Sequence, residues 1–389
     1  MSFGANPARA KETRRAGKNQ GCVMLAVALA AVLLVLTAPA FAGGFTVAPA
    51  PELDALFQNT EGWIGADGDY SVPLGDGRTL WLFSDSFVGR VEKGARAGAA
   101  MVNNSAAIQQ GDRVSFYYGT KADGSPDAFV RPNDGRGYYW LFAGVRAAHD
   151  LFFFLMRVEN TGGGGAFGFR GFGANLARVT NPGDPPDRWR IEQLEFPFCD
   201  YGQGHNISFG RAIHKEGRCI YVYGLDSRKL PASQAPGMVV ARVDEDKFAR
   251  FDAWQFYNGH GWSEDFRASA RVCPGIPSEF SVTWQPLLKK YVAVYTEGGI
   301  FGVICMRTAP SPTGPWSEPV RLFECPDRLW HKDAFSYAAK AHPSLAADDE
   351  LVISYATNSG NFGDLIADAR LYWPRFIRVT FNATAAHGR

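Results

Sequence analysis

The chain has 389 residues, room for one large domain or two ordinary ones. Its charge is balanced, 40 Lys+Arg against 39 Asp+Glu, which argues against a nucleic-acid binder and against an acidic disordered tail. Aromatics at 14%, with 43 Gly and 10 Trp, point to a turn-rich all-β fold whose sites stack flat ligands such as sugars.

The chain opens on Arg9, Lys11, Arg14, Arg15 and Lys18, then an apolar run from Val23 to Leu36, then Ala40-Phe41-Ala42. That order predicts a signal peptide over 1–42, cleaved after a small-x-small site, and a periplasmic or secreted product with no membrane contact once cleaved. An uncleaved anchor helix is the alternative, because the stretch from Cys22 to Ala42 reaches the ~20 residues a span needs.

Residues 43–389 are expected to form one domain. Short runs dominate it: TLWLF, YYWLFAGV, LFFFLMRV, CIYVYG, MVVARV, YVAVYT, LVISYA and FIRVTF, each bounded by Gly, Pro, Asn or Asp. They recur on one plan of apolar strand, arginine, polar turn and tryptophan. Arg178, Arg242, Arg307 and Arg370 follow at steps of 64, 65 and 63, and Trp189, Trp254 and Trp316 at steps of 65 and 62. A repeat of that length holds four strands, the size of a propeller blade. The prediction is a five-bladed β-propeller with blades at about 62–119, 127–196, 201–258, 278–325 and 336–381. Residues 45–57 are expected to pair with the last blade and close the ring. The repeated Arg and Trp positions read as blade architecture rather than as chemistry.

Four aspartates crowd the first blade: Asp67, Asp69, Asp76 and Asp85. Asp76 belongs to the turn LGDGR, where Asp-Gly suits a hairpin. Folding about residue 76 puts Asp67 opposite Asp85, and like charges that close raise a pKa. The same construction in the other blades sends Glu279, His205, Asn206, Lys340 and His342 to the same mouth, with Asp134 as a rim candidate in blade two. Glycoside cleavage needs one carboxyl to protonate the leaving oxygen and a second to activate water or attack. Asp67 facing Glu279 is the expected pair, Asp85 the group that tunes it, and the roles within the pair stay open. The sugar-contacting set expected around them is Trp63, Asp69, Asn104, Asp134, His205, Asn206, Ser281, Lys340, His342 and Arg375. No cofactor is expected; an ion held by His205 and His342 in the channel is the alternative.

Of the six cysteines Cys22 lies in the signal, leaving Cys199, Cys219, Cys273, Cys305 and Cys325. Cys219 and Cys305 sit in apolar runs and read as buried thiols, while Cys273 and Cys325 stand in loop contexts where they could pair.

The segments GADGDYSVPLGDGRTLWLFSDSF, NNSAA, SEFSVTW, RTAPSPTGPWSEP, AKAHPSL, ISYATNS and PRFIRV, in that order from Trp63 to Val379, resemble the bacterial propeller family known as domain of unknown function 4185. The resemblance implies a five-bladed propeller and an endo-D-arabinanase of glycoside hydrolase family 183, acting on arabinofuranose polymers, with Asp67 and Asp85 in its site. The expectation is therefore a monomeric, exported glycoside hydrolase acting on a furanose-containing polysaccharide of arabinan or arabinogalactan type. A non-catalytic glycan-binding propeller is the competing reading, and full binding without product would favour it. A sialidase ranks below both, since it needs a clustered arginine clamp.

Overall fold

The computed structural model describes residues 44–162, 168–202, 206–231 and 234–382, all within the unit Pro39–Arg389. The expected signal peptide and His205 lie outside the described residues. Among these, strands carry nearly all regular structure. The two α-helices among the described residues are short, Pro51–Asp54 and Phe362–Ala367, and no helix among those residues is long and apolar enough to cross a membrane.

Five antiparallel sheets follow one another along the chain, each built on a four-stranded path. The first holds Tyr70–Pro73, Arg78–Phe83, Ser105–Gln110 and Arg113–Tyr117. The second holds Tyr138–Ala147, Asp150–Asn160, Phe169–Val179 and Ile191–Glu195. The third runs through Asn206–Glu216, Cys219–Asp226, Gly237–Asp244 and Gln255–Tyr257, widened by short strands at its margins. The fourth holds Phe280–Gln285, Lys290–Thr296, Val303–Ala309 and Val320–Glu324. The fifth takes Ala334–Ala341, Glu350–Ser359 and Arg375–Phe381, and its fourth strand is Phe45–Pro49 from the other end of the described chain, with Phe45 opposite Phe381.

The first strands of sheets one to five pack in order. The fifth returns to the first through His342, which meets the Ser71 hydroxyl at 2.8 Å. A cavity of 480 Å³ is lined by residues 70–73, 143–146, 212–215, 280–284 and 340–343, so all five first strands surround a common axis. Sheets packed on both faces explain the continuous apolar runs. Leu151, Phe152, Phe153, Phe154 and Leu155 are all buried, because neighbouring sheets cover both sides of the strand.

The arginine repeat falls on third strands. Arg178 bonds Asp150, Arg242 bonds Gln255 and stacks on Trp262, and Arg307 bonds the Tyr295 hydroxyl. Arg370 breaks the series. It lies in a loop against Asp368, and the third strand of sheet five carries Arg378 instead, paired with Glu350. The step of 63 was coincidental because the helix Phe362–Ala367 is inserted before that strand.

The hairpin Ser86–Glu92 and Ala95–Val102 joins Glu61–Ala66 in a separate three-stranded sheet, outside the first four-stranded one. Cys273 and Cys325 do not pair, and all five described cysteines are free; Cys305 is buried as expected, whereas Cys219 is half-buried.

Candidate functional site

The first hairpin keeps the register expected from its turn. Tyr70 stands opposite Leu82 and Pro73 opposite Thr79, and past the strand ends the Asp67 amide donates to the Asp85 carbonyl at 3.2 Å. Both carboxyl groups therefore reach one rim. They open, together with Glu279, into a cavity of 320 Å³ walled by aromatics that include Trp140, Phe142, Phe335, Tyr337 and Tyr372. Glu279 arrives from the residue just before the first strand of sheet four.

Each acid is held differently. The hydroxyls of Tyr337 and Tyr372 both donate to Asp67 Oδ2, at 2.6 and 2.9 Å, while Oδ1 has no hydrogen-bond partner among the described residues. Asp67 is enclosed by protein yet keeps accessible surface on the cavity. Burial, reinforced by the charges of Asp85 and Glu279, holds its pKa well above the ordinary carboxylate value, and the two phenols oppose that rise only in part. Asp85 accepts from Trp140 Nε1 at 3.1 Å and Asn103 Nδ2 at 3.3 Å; burial lifts it to about 6 despite those bonds. Glu279 is bound by the Lys340 ammonium at 2.9 Å, and Lys340, 2% exposed, also donates to the Ala338 carbonyl and lies over the Tyr70 ring.

Three first strands carry a β-bulge at matching places, between Leu141 and Gly144, Phe209 and Ala212, and Tyr337 and Lys340. The bulged segments turn Phe142, Arg211 and Ala338 towards the cavity. A bulge reverses the alternation of side chains, so the wall is set by irregularities rather than by strand period.

Tyr372 is held in place from behind. Its φ is 74°, a left-handed conformation that a bulky residue adopts only under constraint. Its carbonyl accepts from the Ala66 amide, its amide donates to the Thr357 carbonyl, and a Cβ added at Gly65 would lie 2.7 Å from the Tyr372 oxygen. Arg96, 2% exposed, donates to the carbonyls of Ile64, Leu365, Asp368, Ala369 and Leu371 and stacks over Phe87, which fixes the segment leading into Tyr372.

Of the expected sugar contacts, most lie elsewhere. Trp63 is buried, stacked on Phe116 and bonded to the Ser105 hydroxyl, because the aromatic core needs it more than the rim does. Asn104 is fully buried and clamps Val130 and Tyr139 backbone groups. Asp134 is tied up at the surface by Arg157. Asn206 begins its strand, and its backbone bonds residue 227 on both sides. The Ser281 hydroxyl accepts from the Ala341 amide, and both line the 480 Å³ cavity at the other end of the axis. His342 lies there too, pinned between the Ser71 and Ser354 hydroxyls, and burial followed by the nearby Lys340 charge lowers its pKa to about 3. Arg375 pairs with the buried Asp327, not with a site acid. Only Lys340 reaches the acids. Tyr337, Tyr372, Trp140, Asn103 and Arg211 were missed; each is an ordinary strand or loop residue in sequence.

Asp69 is also no ligand contact. It has no exposed surface and, among the described residues, no hydrogen-bond partner on either oxygen, and burial lifts it to about 7 against a favourable Lys340 charge. A carboxyl whose folded pKa is raised binds more protons folded than unfolded. Stability should therefore fall as pH rises from about 4 to about 7, and the loss should persist above that. Asp69→Asn, which tolerates the left-handed φ of 49°, should raise the melting temperature at pH 8 and flatten this decline. An unchanged pH slope in thermal melts between pH 4.5 and 8 would contradict it.

The comparisons with known proteins come to bear here. No curated protein matches the chain. A candidate hydrolase from Bacteroides ovatus ATCC 8483 shares the fold, with a TM-score of 0.72 at 22% identity over 90% of this chain and 94% of that one. More distant are the GH43_1 enzyme from Xanthomonas citri complexed with xylotriose (TM-score 0.45, 14% identity, 86% and 89% covered) and a protein of unknown function from Dyadobacter fermentans (TM-score 0.44, 9% identity, 87% and 100% covered). Likeness at those scores carries no argument about chemistry. The resemblance to domain of unknown function 4185 is overturned, because the family model that matches is a different one. The segments behind that resemblance are strands and the turns between them, patterns that unrelated propeller repeats share, and the arabinanase assignment that came with it falls. From residue 51 to residue 382 the sequence matches Domain of unknown function (DUF5005), and the chain belongs to that family.

Proposed function

We propose that the chain is a closed five-bladed propeller, exported as a monomer, that hydrolyses glycosidic bonds in the cavity holding Asp67, Asp85 and Glu279. The observation that carries this reading is the convergence of three carboxyl groups in one aromatic-walled cavity, each in a different electrostatic setting. Environments that separate acids in this way assign acid and base roles at a single pH. Asp67, raised by burial and by two neighbouring carboxylates, holds the proton and serves as the acid. Glu279, with the Lys340 ammonium on one oxygen, serves as base or nucleophile. Asp85 keeps Asp67 protonated through its charge. Aromatic walls suit the apolar faces of sugar rings.

The test is digestion of a polysaccharide panel by the purified protein, with arabinan, arabinogalactan, xylan and galactan as separate arms and product release as the readout. Cleavage of any arm supports the hydrolase, and cleavage confined to arabinans would restore the furanose specificity. Binding without product on every arm would replace this reading with the glycan-binding one.

The phenols give a sharper check. Both oppose the rise in the pKa of Asp67, so removing either raises it further. Tyr337→Phe is expected to move the alkaline limb of the kcat/KM profile to higher pH, with Tyr372→Phe acting in the same direction. A limb that stays in place in both variants removes Asp67 from the acid role.

A further inference from the structure

Arg211 is the cavity's unexplained charge. It is 7% exposed, lines the same cavity as Asp67, Asp85 and Glu279, and stacks over Phe142 with its guanidinium 4.5 Å from the ring centroid. The Tyr201 hydroxyl oxygen lies near enough to accept from it. It forms no ion pair with any carboxylate among the described residues, although every acid of the site shares its cavity. The other buried cation there, Lys340, is matched by Glu279.

A buried guanidinium without a counter-ion is costly, and a planar fork of donors is suited to a carboxylate. The bulge between Phe209 and Ala212 is what points this side chain inward, where a regular strand would place its neighbour. We propose that Arg211 is an anion clamp and that the glycan bound in this cavity carries a carboxylate, as a uronic acid does. The clamp rests on the proposed glycan site but not on cleavage within it. Two of the three acids do not oppose an anionic ligand: Lys340 offsets Glu279, and burial disfavours ionisation of Asp67.

The experiment measures binding of glucurono- and galacturono-oligosaccharides to the full chain by calorimetry, each against its carboxyl-reduced counterpart. The acidic member is expected to bind about tenfold or more tightly, the scale of one charge-assisted hydrogen-bonded contact. Arg211→Met should bring it to the level of the reduced member. Should that variant fail to fold, Arg211→Lys keeps the charge without the fork and is expected to lose about threefold or more of the preference. Equal affinity within every pair, no binding of any pair, or a preference untouched by both variants overturns the clamp. Following cleavage in the same samples separates the two readings. Hydrolysis with no preference for the acidic member sinks the clamp and leaves the hydrolase. A preference that depends on Arg211, without cleavage here or on any arm of the polysaccharide panel, keeps the clamp and sinks the hydrolase.

Discussion

Asp67→Asn is expected to slow cleavage of the natural polysaccharide by on the order of 10²–10⁴-fold, the usual contribution of a positioned acid or base. The fold should survive. The amide is nearly isosteric, its oxygen can still accept from Tyr337 and Tyr372, and it cannot ionise beside Asp85 and Glu279. The melting temperature should therefore hold or rise at neutral pH. The role of the residue is read from the leaving group. An aryl glycoside with an acidic phenol needs little protonation, so on it the variant should recover most of the lost rate if Asp67 is the acid. Glu279→Gln should be slow on both substrates. Natural-substrate turnover at the parent rate by Asp67→Asn would remove it from the chemistry altogether. An equal loss on both substrates would make it the base or nucleophile instead.

Arg96→Ala should be the most damaging change outside the cavity. The side chain joins the inserted hairpin to the loop that carries Tyr372 by donating to carbonyls from residues 64 to 371. Burial brings its pKa down to about 10, so it remains charged at neutral pH. Removing it strands several buried acceptors and leaves a void beside Phe87. The expected loss is about 3–5 kcal/mol, or roughly 5–10 °C in melting temperature. Activity should fall further than stability alone explains, because Tyr372 would no longer be held against Asp67. Arg96→Lys should not rescue it, since one ammonium cannot span the same carbonyls. A melting temperature within 1–2 °C of the parent would show that the loop is fixed by other contacts.

Much of the fold could be read from local pattern. The run LFFFLMRV is a strand buried on both faces, and the arginine steps mark third strands in three sheets. The turn LGDGR sets a register that holds from Tyr70 to Leu82 and carries Asp67 to Asp85. In sheet five the same construction erred. A bulge between Tyr337 and Lys340 shifts the pairing, so Lys340 stands opposite Ser354. His342 and Ser281 were sent to the acids' mouth and lie at the other end of the axis.

What the sequence determined by itself is what short-range geometry dictates. Alternation, turn chemistry and repeat length follow from the strand period and from the backbone angles that Gly and Asp allow. On that basis the all-β class and the meeting of Asp67 with Asp85 were legible before any coordinates. The tertiary structure decided the rest of the site. Phe142, Arg211 and Ala338 face the cavity because bulges interrupt the alternation, and Tyr337 and Tyr372 reach one carboxylate oxygen from positions 270 and 305 residues away. The charge state of Asp67 likewise depends on burial by neighbouring sheets and on Glu279 from another strand. Desolvation and Coulomb forces depend on distance in space, and over such separations the order of residues along the chain does not fix it.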